Sequence, residues 1–402
     1  MHFTGPGRYR SLSVMRRLPP TLSKFLAVYA FLYAAFGVQS PFLPALLREQ
    51  GLHAEEIGIV LAASTAIRVL TGPAIGHAAD RLHRHTSILC GCALAAAVAG
   101  LGYLMMQGLG SLLAVGLLQA AMLAPVAPLS DALATTAAHE SESDGKQRFE
   151  YGWLRASGSA AFIAGTTVSG WVAGKAGLGV TIWLSGALLV IGGTAALLLP
   201  KLPGGHATGA RPPIAGDWAL LFRLAVFRRA LIIAASVEGS HALHDAFSVI
   251  RWRSAGIDLP IVGLLWSESV LSEVVIFLVI GPRLVRQLGP GGACALAACA
   301  GVVRWTVAAF TTDPVVLGLV QPLHGLTFAL LHLACMRLIV QVVPVRLAAT
   351  AQSIYGTLCV GLATALLTLA SGLLYEQMGG HAFFVMAALC LLALPLCAGL
   401  SR

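Results

Sequence analysis

Apolar residues run along this chain in stretches of about twenty, and each stretch closes on a short cluster of charged residues, glycine or proline. About twenty apolar residues in helical form span the hydrocarbon core of a bilayer, so the pattern predicts membrane-crossing helices. Twelve such windows can be drawn, at 24–47, 56–79, 86–106, 110–135, 152–174, 179–200, 229–250, 260–282, 292–311, 314–337, 346–374 and 380–400. A membrane barrel would instead show short strands of alternating polarity. The longest central interruption, 201–228, contains Pro203-Gly-Gly and Arg211-Pro-Pro and separates six windows from six. The expected organisation is an all-α membrane protein. It has a terminal segment 1–23, a six-helix bundle 24–200, a linker 201–228 and a second six-helix bundle 229–402.

Composition agrees with this and adds orientation. Of 402 residues, 57% are hydrophobic and 11% charged, about half the charge of a soluble domain, and mean hydropathy is +0.82. The net charge of +9 does not form one basic face of the kind nucleic acid would need, because the Lys and Arg residues lie in short loops. With the N-terminus inside, twenty of the 26 basic residues fall in cytoplasmic segments. Only Arg48, Lys175, Arg251 and Arg253 fall outside, while Arg68 and Arg304 lie within spans. That bias predicts a bacterial-type inner (plasma) membrane protein with both termini cytoplasmic. The basic N-terminus before the first apolar run resembles a signal peptide, but the run is too long and many more follow, so it is expected to stay attached. All eight cysteines sit in apolar runs, without the loop setting of a zinc or disulfide framework.

Ionisable residues inside the spans are the candidate chemistry, because a charge at that depth needs water or a partner. The most crowded stretch is Val237-Glu-Gly-Ser-His-Ala-Leu-His-Asp245. At helical spacing Glu238, His241 and Asp245 share one stripe. His241-x-x-His244-Asp245 has no second His or Cys cluster to complete a metal site, so neither a metal nor a cofactor is expected. Arg68 lies midway along span 2, where it is either a structural ion pair, with Asp131 a candidate partner, or an anchor for an anionic substrate. Asp131 ends its window in Pro128-Leu-Ser-Asp131 and reads as a helix-end or gating group, and Arg155 is placed to pair with it or with Glu150. In span 8, Glu268 and Glu273 lie about 140° apart around the helix. The deeper Glu273 matches Arg304 in depth, and span 10 offers Gln321, His324, Phe328 and His332 on one stripe. These are the parts of a proton-coupled carrier or, alternatively, of a fixed ion pair between spans 8 and 9. Tyr29 heads a set of aromatics able to stack on a ring substrate. No phosphate-binding loop or nucleophile elbow occurs, which argues against ATP-driven transport and against an enzyme.

Between spans 2 and 3 the sequence Gly76-His-Ala-Ala-Asp80-Arg81-Leu-His83-Arg84-His85 resembles the loop signature of the major facilitator superfamily, with His83 in place of the usual second glycine. Further stretches resemble the phenylpropionic acid permease group, relatives of the lactose and nucleoside proton symporters. They include Pro41-Phe-Leu-Pro44, Pro128-Leu-Ser-Asp131, Tyr151-Gly-x-x-Arg155-x-x-Gly158, Gly301-Val-Val-Arg304-Trp305 and His332-Leu-Ala-x-Met336-Arg337. The resemblance implies two pseudo-symmetric bundles that rock about a midplane site. It also implies proton-coupled uptake of a small solute by a monomer, with an aromatic carboxylate such as phenylpropionate as the suggested substrate. On this reading Glu273, Arg304 and His324 couple protons. Arg68, Glu238, His241, Asp245, His332 and Tyr29 face the substrate, and Asp80, Arg81, Arg84, Asp131 and Arg155 gate. Glu238, His244, Asp245 and Glu268 are more acidic or polar than that group leads one to expect. A sugar or nucleoside symporter, or a drug or metabolite exporter of the same fold, is the alternative.

Overall fold

The computed structural model describes residues 20–143, 151–200, 215–398 and 400. Within them the chain is helical almost throughout, as the membrane demands, because a helix satisfies its own backbone where no water can. Eight helical stretches are long and apolar enough to cross a membrane, and two of them are double length: Leu259–Phe310 and Val345–Cys397. The first breaks at Gly289 (φ 68°, ψ 168°) and the second at Gly379, also with positive φ. Two further crossings are the more polar Tyr151–Ala176 and the pair Ala225–Gly239 and His241–Ser254. The described helices therefore form twelve rods, called spans 1 to 12 in chain order, the count that the apolar pattern predicts.

The rods differ from the predicted windows at functionally interesting places. Span 1 is Pro20–Gln39, followed by a turn and the short helix Leu43–Glu49, since Pro41 and Pro44 interrupt it. Span 2 runs over Ala54–Leu82, so Asp80 and Arg81 occupy a helical last turn instead of the expected loop. The chain reverses at His83 (φ 52°), the one non-glycine residue with positive φ among those described. This is the position where the family pattern has glycine, and its counterpart between spans 8 and 9 is Gly289. Span 4 is Leu109–Leu123 and Val126–Ser143, and span 6 is Gly179–Ala196. In the second half, three spans carry π-helical turns, at Ile276–Ile280, Leu326–Leu330 and Gly356–Ala363, a local widening found most often at functional sites.

The two halves meet on the face that carries Gly51, Gly108, Gly177 and Gly256. Span 2 packs against span 11 so closely that a Cβ on Gly58 would lie 3.0 Å from the Cα of Gly372, and span 5 meets span 8 at Gly170 and Gly263. Small residues allow such backbone approach inside a bilayer. Thr167 and Ser267 share a 2.7 Å hydrogen bond across the same seam. Near its rim the Ala54 amide donates to Glu376 (3.0 Å) and Arg253 pairs with Glu49 (3.3 Å). Moving inward, Val69 meets Gly361. Beyond that, toward the His83 turn, no described elements of opposite halves pack extensively.

Candidate functional site

Between the halves, beneath the glycine seam, lies a cavity of about 510 Å³ lined by spans 1, 2, 3, 4, 6, 7 and 11. Two charged side chains reach it, Arg68 from span 2 and Asp245 from span 7. Gln39 and Gln119 stand on its wall and bond each other through both amides, at 2.8 and 3.1 Å, and Ser185 donates to Gln39 Oε1 (3.1 Å). Arg68 is exposed to this space and makes no hydrogen bond or ion pair with the described residues. The structural alternative, pairing with Asp131, is taken up otherwise. Tyr29 donates its hydroxyl to Asp131 Oδ1 at 2.6 Å, and Arg155 Nη1 lies 3.5 Å from Oδ2. Arg155 also donates to the Tyr33 hydroxyl (2.5 Å), with Tyr33 stacked on Tyr29.

A second polar network lies behind the cavity wall in the last six spans. Its centre is Arg304, 1% exposed, which donates to His324 Nδ1 (3.1 Å), Gln321 Oε1 (3.0 Å) and His244 Nε2 (3.5 Å) and lies over the Trp305 ring. These bonds assign the imidazole protons, since an arginine only donates. His324 accepts at Nδ1, so its N–H is at Nε2, which faces Glu273 Oε2 at 3.8 Å. His244 accepts at Nε2, so its N–H is at Nδ1, which donates to Asp245 Oδ1 at 3.2 Å. The result is one connected series, Asp245–His244–Arg304–His324–Glu273, that begins on the cavity wall. A carboxylate bonded to an imidazole is a unit that exchanges a proton by a small displacement.

The model of the MFS_1 like family matches residues 22–386. The chain belongs to this family of major facilitator transporters. It is 32% identical over 383 residues, 93% of this chain and 96% of the relative, to the probable 3-phenylpropionic acid transporter of Escherichia coli (strain K12). It is 25% identical to the maltose permease of Geobacillus stearothermophilus over 91% of each chain. Among solved structures, the nucleoside transporter NupG superposes with a TM-score of 0.83 at 16% identity, covering 96% of this chain and all of that one. The protein is thus a membrane transporter of small molecules and not an enzyme.

The transporter distributes its predicted site residues over four places. Arg68 and Asp245 alone among the six expected around substrate line the cavity. Glu238, His241 and Asp245 do not share a face, because span 7 turns at Ser240, whose hydroxyl donates to the Val237 carbonyl (2.6 Å) and accepts from Trp305 Nε1 (2.7 Å). Glu238 instead accepts from the Tyr355 hydroxyl at 2.5 Å, beside His332, while His241 bonds Thr327 (2.9 Å). Tyr29 is fully buried and bonded to Asp131. Glu273 and Arg304, expected as a pair, are bridged by His324 and do not touch among the described residues. At the His83 turn, Asp80 bonds His85 Nε2 at 2.7 Å, and Arg81 and Arg84 are exposed. Glu150 lies outside the described residues. The sequence reading passed over Gln39, Gln119 and Tyr33, because it weighed ionisable groups and ring-stackers at mid-span. Amides inside apolar runs carry the same signal more weakly.

Proposed function

We propose that this transporter takes up a small aromatic carboxylate together with protons across the bacterial inner membrane, acting as a monomer with both termini cytoplasmic. The observation that carries the reading is Arg68. A guanidinium that cannot lose its proton stands in a cavity of about 510 Å³ with no hydrogen-bond or ion-pair partner among the described residues, and a substrate carboxylate supplies one. The 32% identity to a probable 3-phenylpropionic acid transporter supports an aromatic acid. With the termini cytoplasmic, the sealed glycine face is external, and the halves part toward the cytoplasm.

Coupling then follows from the series behind the wall. Arg304 keeps its present seat only while His324 Nδ1 is free of a proton. A proton taken up from water at Nδ1, with the resulting imidazolium stabilised through Nε2–H by the Glu273 carboxylate, would remove the acceptor and place two cations side by side, which the buried site resists. Arg304 would shift toward His244 and Asp245, carrying the change to the cavity. A polar-solute reading has one specific support, the Gln39–Gln119 amide pair, which suits hydroxyl groups of a sugar or nucleoside.

The deciding experiment is substrate binding and pH-electrode recording with purified protein in proteoliposomes. Phenylpropionate-like acids are expected to bind and to enter with protons. Arg68→Gln is expected to weaken their binding about 10- to 100-fold, the worth of a lost charge-assisted hydrogen bond. Unchanged affinity in that variant would remove Arg68 from the site, and tighter binding of sugars or nucleosides would favour the second reading.

A further inference from the structure

The cavity is electrically two-ended. Arg68 stands on the first half and Asp245 on the second, and the rest of the lining is neutral. Asp245 Oδ1 is held by His244, while Oδ2 makes no hydrogen bond with the described residues, and the side chain is 54% exposed. The carboxylate is thus fixed in direction by one oxygen and leaves the other toward the space where a ligand sits. An acid with a plain hydrocarbon ring satisfies Arg68 and leaves this oxygen facing apolar atoms once the cavity closes, and an unpaired acceptor without water is costly. A ligand that meets both groups carries a carboxylate at one end and a hydrogen-bond donor at the other.

We propose that the substrate is an aromatic acid bearing a hydroxyl or ammonium group at the end remote from its carboxylate, and that Asp245 selects for that group. This rests on the reading in which Arg68 holds the carboxylate. It gives Asp245 a task that does not conflict with its sign, since repulsion of a plain acid is itself discrimination. Sites built around a substrate donor reject the analogue lacking it far more strongly than apolar pockets reject a missing methylene.

The test is calorimetric binding to the full-length purified transporter of three acids: 3-phenylpropionate, 3-(4-hydroxyphenyl)propionate and 3-(4-aminomethylphenyl)propionate. The donor-bearing acids are expected to bind about 10- to 100-fold tighter than 3-phenylpropionate. Asp245→Ala is expected to bring the ratio toward one, weakening the donor-bearing acids and tightening the plain one. The wild-type ratio decides even if that variant fails to fold. Equal wild-type affinities, with all three acids weakened by Arg68→Gln, overturn the role of Asp245 and leave the carboxylate reading standing. Acids that fail to bind, or that bind independently of Arg68, overturn both.

Discussion

In the first six spans, Arg155 and Asp131 sit 3.5 Å apart, with Tyr29 and Tyr33 completing their bonds. In the last six spans, Arg304 touches no carboxylate among the described residues. Two imidazoles and an amide hold it, and each imidazole in turn faces an acid, Asp245 or Glu273. Both halves combine an arginine with a carboxylate, the first part-exposed and the second around a buried arginine, yet only the second places imidazoles between them. A direct pair with phenol partners holds its charges still, and moving a proton there would break it. An imidazole between acid and arginine can change protonation while retaining a bond on its other nitrogen. The helices follow the same division, since the π-helical turns among the described residues are all in the second half. We read the first cluster as a fixed brace that gates and the second as the coupling centre.

This contrast can be broken at its strongest point by Arg304→Leu. The change leaves His324 Nδ1, His244 Nε2 and Gln321 Oε1 without their common donor. Loss of all transport and a clear fall in thermal midpoint are expected, several kcal/mol in scale for a dismantled buried network. Pure uncoupling with full stability would contradict it. Next in size, Glu273→Gln is expected to abolish accumulation driven by a pH gradient while preserving substrate exchange, both read in proteoliposomes. Full concentrative uptake by this variant would remove Glu273 from the coupling series.

Smaller effects separate the halves further. Asp131→Asn touches a part-exposed pair, and about 1 kcal/mol of stability is expected from such a pair, seen as a thermal midpoint a few degrees lower with accumulation retained. Loss of coupling in Asp131→Asn would erase the distinction between brace and relay. Glu238→Gln is expected to do least. The carboxyl's one described partner is the Tyr355 hydroxyl, and an amide oxygen accepts the same bond. Differential scanning calorimetry showing a large destabilisation would mean that Glu238 works as a charge.

The architecture was legible in the sequence because bilayer thickness imposes a length on each apolar run, and twelve runs yield twelve rods. Arg68 and Arg304 were legible as sites for a related reason, since no lipid-facing position tolerates a guanidinium. Which groups they meet was not. Glu238, His241 and Asp245 separate at the turn that interrupts span 7 at Ser240, and neither composition nor periodicity registers that. His324 lies between Glu273 and Arg304 just before span 10 widens into a π-turn from Leu326 to Leu330, a placement that has no compositional mark. The departure at His83 was visible as a residue, and only the backbone showed that it occupies a left-handed turn.

The glycine seam has a mechanical meaning. Where Gly58 meets Gly372 and Gly170 meets Gly263, the halves touch through main chain rather than through side chains. Such a contact has no rotamer to adjust and no proton to gain, so acidity and ionic strength act on the seam only through the Arg253–Glu49 and Ala54–Glu376 bonds at its rim. It is also steep in distance, since contacts of this kind lose much of their attraction within the first ångström of separation. The glycine contacts are therefore made or lost over a short travel as the halves move.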